Sequence, residues 1–149
     1  MSETAQRPHF SVAIDWKTRK IEQWLEQYGS WLLVDSRFES LDAQGIMGRL
    51  LDLAQGISVD HRRRALPRCN ISDDQALAIE ALIGHIYEKE SPKPRKWIQI
   101  AINYHVDGMS EETIAKRYDM SRFAVTRDRM LGIVRLVSKH SYLTSFYTD

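Results

Sequence analysis

A chain of 149 residues with 43% apolar side chains has enough hydrophobic matter for one ordinary globular domain. No run approaches the roughly 18 to 20 apolar residues that span a bilayer, and residues 1–10 lack the basic start and apolar stretch of a secretory signal, so a cytoplasmic location with no membrane partner is expected. The single Cys69 excludes an internal disulfide and a paired-thiol zinc site, and it reads as a reduced, partly buried thiol. A net charge of +1 hides an uneven distribution: residues 1–60 carry −3, residues 61–90 carry 0 and residues 91–140 carry +5. The C-terminal excess is the footprint of a surface that approaches phosphates, or of a solvated helix face.

Residues 1–14 have no period and read as a flexible arm. From Asp15 to Val34, the residues Ile21, Trp24, Leu25, Tyr28, Trp31 and Leu32 recur every three or four positions, which predicts an amphipathic helix. Its tryptophans, with Trp16, suit a core or interface stripe better than a base-stacking platform. A weaker helical pattern over Asp42–Gln55 ends at Gly56. The aperiodic stretch after it holds Arg62, Arg63, Arg64 and Arg68, which could meet phosphate or an acidic partner surface, or simply be solvated.

Ser72 with Gln75 three residues on is a capping box, and it opens a helix displaying Ala76, Ile79, Leu82, Ile83, Ile86 and Tyr87 on one face. That helix must stop before Pro92 and Pro94, so Ser91–Pro94 reads as a hinge. The chain thus divides into an arm (1–14), a helical region with a basic middle loop (15–90) and a final region (91–149). An all-α fold follows.

The final region holds three helix signals in close succession. Trp97, Ile98, Ala101 and Ile102 mark a helix from about Arg95 to Val106, stopped by Gly108. Ser110 caps a short helix, Glu111–Tyr118, and Ser121 caps a third that reaches about Ser138. Two caps eleven residues apart leave room for two helical turns and a tight corner, the arrangement of a helix-turn-helix. Ile114, Ala115, Tyr118, Met120 and Val125 fit its packing positions, whereas Asp119 stands at the corner where glycine is usual, and Asp128 at a position that is often apolar.

In such a unit the second helix enters the major groove of double-stranded DNA. Its early residues here are Ser121, Arg122, Phe123, Thr126 and Arg127. Arginine pairs with guanine, threonine can bond a base or touch a thymine methyl, and Phe123 either packs on a methyl group or joins the core. Lys116, Arg117 and Arg129 flank this surface and suit phosphate contacts. Met130, Ile133, Val134 and Val137 extend an apolar stripe that should pack back onto the first helix of the unit, with a partner-protein contact as the other reading. His85, His105 and His140 are scattered, and no metal-ligand spacing, glycine-rich phosphate loop or catalytic constellation occurs, so neither an enzyme nor a cofactor is expected.

The run IAINYHVDGMSEETIAKRYDMSRFAVTRDRMLGIVRLV resembles the C-terminal helix-turn-helix of the phage antitermination protein Q family, in the branch related to the lambdoid phage 21 protein, a unit itself similar to region 4 of bacterial sigma factors. IEQWLEQYGSWLLVDS and RCNISDDQALAIEALI resemble that family's tryptophan helix and central Ser-Asp-Asp segment, in the family's order. The resemblance implies a late-gene antiterminator that binds DNA near a late promoter, loads onto paused bacterial RNA polymerase and makes it read through terminators. In this branch it also implies a position at the RNA exit channel. Polymerase contact is expected partly on the tryptophan helix and partly on the Arg62–Arg64 loop. Two alternatives stay open: a sigma-like or promoter-binding activator that never travels with polymerase, and a small-terminase packaging adaptor, which usually carries its DNA-binding unit near the N-terminus.

Overall fold

A computed structural model describes residues 9–38 and 65–147. These form α1 (His9–Val12), a 3-10 turn (Trp16–Thr18), α2 (Ile21–Phe38), α3 (Asp73–Glu88), α4 (Pro92–His105), α5 (Glu111–Tyr118) and α6 (Arg122–Ser138). The described residues are all-α, as the periodicity predicts. The Asp42–Gln55 pattern with Gly56 and the Arg62–Arg64 run lie outside them.

Local chemistry sets most helix starts. Ser72 accepts from the Gln75 amide at 3.2 Å while the Gln75 side chain accepts from the Ser72 amide at 2.9 Å, so the capping box is reciprocal. Pro92 is a correction to the hinge reading: it stands in the first turn of α4, behind Ser91 at the cap. Proline is favoured there because the first-turn amides have no intrahelical acceptor, so the prolines begin a helix without separating two bodies.

The core confirms this. Trp24 and Leu25 of α2, Ile79 and Leu82 of α3, and Ile98, Ala101, Ile133 and Leu136 of α4 and α6 are buried in one cluster that crosses the Ser91–Pro94 corner. Trp16 and Trp24 are fully inside, and each indole N–H donates to a backbone carbonyl, that of Phe10 at 2.9 Å and that of Trp16 at 3.1 Å. Trp31 is half-buried and donates to Asp73 Oδ1 at 2.8 Å, tying α2 to the start of α3. Trp16 and Trp24 are therefore core, while Trp31 packs against that core and keeps part of its surface in solvent.

The arm expectation fails for residues 9–14. Phe10 and Ile14 are buried, and the Phe10 ring lies 5.2 Å from His85 and 6.1 Å from His140. His85 and His140 are themselves 5.9 Å apart, and Tyr142 stacks on His140 at 5.0 Å. This cluster fastens α1 to α3 and to the segment after α6.

Burial, with the nearby charges of His85, Lys89 and Lys139, pushes the His140 pKa below its ordinary 6.5. The unfolded chain therefore binds this proton more readily than the folded one. Stability should be flat above about pH 7 and fall as pH drops below about 6.5 towards the lowered value. Urea melts between pH 5 and 8 should show that slope, and His140→Phe should flatten it; an unchanged slope in the variant would assign the titration elsewhere. Glu90 adds a more acidic limb. Hydrogen bonds from Arg135 and Lys139 hold its carboxyl below the usual range against the opposing effect of burial, so its contribution is lost only below about pH 4.5.

Residues 140–147 run back across the molecule as a strap. The Thr144 carbonyl accepts from the Ile21 amide at 2.7 Å. Ser145 Oγ donates to Glu22 at 2.8 Å, and the Phe146 amide donates to the same carboxylate at 3.2 Å. Glu22 is buried at the first turn of α2, where a carboxylate suits the positive helix end.

Candidate nucleic-acid interface

The site is built on α4, α5 and α6. α4 and α6 make the most extensive helix contact among the described residues, and α5 sits across one end of the pair. Gly108, at φ 74°, turns the chain out of α4. Ser110 then caps α5 by accepting from the Thr113 amide at 3.1 Å, and Ser121 caps α6 by accepting from the Ala124 amide at 3.1 Å. Between them, Asp119 takes the left-handed conformation (φ 55°, ψ 54°) that glycine would adopt more easily, and the Met120 amide donates to the Ala115 carbonyl at 2.9 Å. Aspartate is one of the few residues that tolerate this geometry, so the corner forms without glycine.

Under the corner lies a second, small core of Ile100, Met109, Ile114 and Val125, packed by Tyr104, Ala115, Tyr118 and Met120. Every residue expected to fill this corner is in it. A polar chain, unmarked by any sequence pattern beyond an i, i+4 spacing, pins the end of α5. Tyr118 donates to Asn103 Oδ1 at 2.6 Å, and Asn103 Nδ2 donates to Asp107 Oδ2 at 2.9 Å. Asn103 and Asp107 are buried, so these bonds fix the angle at which α5, and behind it α6, leaves α4.

The first two turns of α6 divide sharply. Val125 and Asp128 face inward, while Arg122 and Phe123 face out. Phe123 is 77% exposed, which settles its position on the surface and not in the core. Ser121 is occupied as the cap, and Thr126 Oγ1 donates to the Arg122 carbonyl at 3.1 Å. Lys116 and Arg117 are exposed on the second half of α5. Arg122 lies 3.6 Å from Glu111 Oε1 and keeps 74% of its side chain in solvent.

Arg129 departs from the flanking role expected of it. Its side chain is 13% exposed, and its Nε and Nη2 both lie 3.0 Å from Glu111 Oε2. Nη1 donates to the Tyr147 hydroxyl at 3.1 Å, and the guanidinium sits 4.1 Å over the Tyr104 ring. Burial would loosen its proton, but Tyr147 and Glu111 outweigh that and its pKa is raised. Arg129 is thus a clamp joining α6, α5, α4 and the strap, and it is turned away from the exposed face.

Further along α6, Ile133 is buried and Val137 half-buried, whereas Met130 and Val134 stay partly exposed, so only half of the expected stripe packs back. Arg68 is exposed before α3, its carbonyl accepting from Gln27 Nε2 at 3.0 Å. No helix among the described residues is long and apolar enough to cross a membrane.

A family model described as phage antitermination protein Q matches residues 18–134. No curated protein and no solved structure matches the chain.

Proposed function

The chain belongs to the phage antitermination protein Q family, and from that premise we propose that it is a late-gene antiterminator whose α5–α6 pair is a sigma-region-4-like helix-turn-helix that binds DNA near a late promoter. On this reading the protein then loads onto paused bacterial RNA polymerase and carries it through terminators. The observation that supports it most is the sorting along α6: Val125 holds the helix in the small core while Arg122, Phe123 and Arg127 of the same two turns are exposed, as are Lys116 and Arg117 of α5. Arg122 and Arg127 are assigned to base edges and Lys116 and Arg117 to phosphates. Polymerase contact is assigned partly to the tryptophan helix, whose Trp31 is half-buried, and partly to the Arg62, Arg63 and Arg64 run, with Arg68 as a further polymerase or phosphate contact.

Gel shifts and run-off transcription past a terminator test this together. Arg127→Ala should cost roughly 1 to 3 kcal/mol on the preferred duplex and relax preference at one position. Lys116→Ala should weaken all duplexes alike and lower the salt slope by about 1. Equal loss on preferred and random duplexes from the Arg127 change would remove it from base reading. Specific binding without terminator readthrough would favour the promoter-binding activator.

A further inference from the structure

Asp128 occupies a position on the inner face of α6 where an apolar side chain would pack at no electrostatic cost. Its side chain is only 5% exposed, and a carboxylate taken so far from water requires a partner. Among the described residues that partner is its neighbour Arg127, whose side chain is 57% exposed. Arg127 Nε donates to Asp128 Oδ1 at 3.0 Å, and Nη2 lies 3.0 Å from the same oxygen. The carboxylate thus grips one edge of the guanidinium, the Nε–Nη2 edge.

A guanidinium has a second edge, made by Nη1 and the outer hydrogen of Nη2, and that end-on edge is the one that matches the paired O6 and N7 acceptors of guanine. Successive residues of a helix project about 100° apart, so the Arg127 side chain must bend round the surface of α6 to reach Asp128. A long, free side chain becomes one with a defined direction before any ligand arrives. We propose that Asp128 is a specificity-positioning residue: by holding the Nε–Nη2 edge of Arg127 it aims the remaining edge at a guanine. The inference rests on the reading of α6 as the helix that enters the major groove.

The test uses the full chain and a random-sequence duplex library, with base enrichment read at each position. The unmodified protein should enrich a motif with one guanine that Arg127→Ala erases. Asp128→Asn, nearly the same shape without the charge, should lower the preference for that guanine by about tenfold, with affinity for random duplex unchanged or raised. In the Arg127→Ala background, Asp128→Asn should change the motif no further. Arg127→Lys, which keeps the charge but has no fork, should lose the guanine even with Asp128 intact. A merely structural carboxylate would lower the melting temperature and all duplex affinities together, leaving the motif as it was. If Arg127→Ala erases the guanine and a folded Asp128→Asn retains it, the positioning role is overturned and DNA reading by Arg127 stands. If no motif is enriched, or Arg127→Ala leaves it intact, the groove-reading assignment fails and the positioning role fails with it.

Discussion

Gly132→Ala is expected to destabilise the protein by at least about 3 kcal/mol, an effect at the top of the range for adding one methyl group. Gly132 lies where α6 crosses α4, and a Cβ built there falls well inside van der Waals contact with the Trp97 carbonyl and 3.0 Å from the Ile98 amide nitrogen. Both neighbours are backbone, so no rotamer change relieves the clash. The helices would have to separate, opening the core around Ile98, Ile133 and Leu136. Gly29→Ala should act in the same direction, since its Cβ would meet the Val106 carbonyl. Gly84→Ala is the matched control: nothing lies within 4 Å of its Cβ in α3, and the better helix former should raise stability by about 0.5 to 1 kcal/mol. Urea denaturation of the three variants gives the comparison. Equal midpoints for the Gly132 variant and the unmodified protein would mean that the two helices are not in such close contact.

Arg129→Ala should lower stability by roughly 3 kcal/mol, because it takes the closer of two arginine partners from the half-buried Glu111 carboxylate, leaving only the exposed Arg122, and removes a largely buried cation from the Tyr104 ring. For a chain of this length that amounts to a drop of roughly 6 to 12 °C in melting temperature. Arg129→Lys should recover only part of it, since an ammonium cannot span Glu111, Tyr147 and the ring face together. A phosphate-binding arginine would behave in the opposite way, leaving the melting temperature in place and flattening the salt slope of DNA binding. The two measurements, a thermal melt and a salt titration, therefore decide between the clamp and the flanking contact.

The contrast between Arg127 and Arg129 shows where sequence reading stops. Both sit on α6 as immediate neighbours of Asp128, and their local spacing does not say which one turns inward. Arg129 turns inward because Glu111 and Tyr147, each 18 positions away, converge on it. Caps are legible because their chemistry closes within three residues, so Ser72, Ser110 and Ser121 could be placed on sight. The corner core of Ile114, Tyr118, Met120 and Val125 was legible too, since its period and the two caps fix one register. Pro92 was ambiguous for a local reason: proline stops a helix from behind and begins one from the front. Phe10 was illegible, because a four-residue helix has no period and its burial depends on His85 and His140, far along the chain. The exposure of Phe123 was equally undecidable, as a single aromatic at a helix start fits either side of the amphipathic boundary.

The bond between Ser145 and Glu22 spans 123 positions, and during synthesis that distance becomes time. Glu22 leaves the ribosome early and has neither of its strap donors until residues 145 and 146 follow, so the start of α2 must stay hydrated while everything between is made. α4, α5 and α6 are complete before then, and their small core draws only on residues 100–125. Glu22 therefore gains its strap donors only when the last residues of the chain are free to fold back, whereas the small core under the proposed DNA-reading corner needs none of them. Domains generally acquire structure from the N-terminus as they emerge; here the beginning of the chain waits for residues more than a hundred positions downstream.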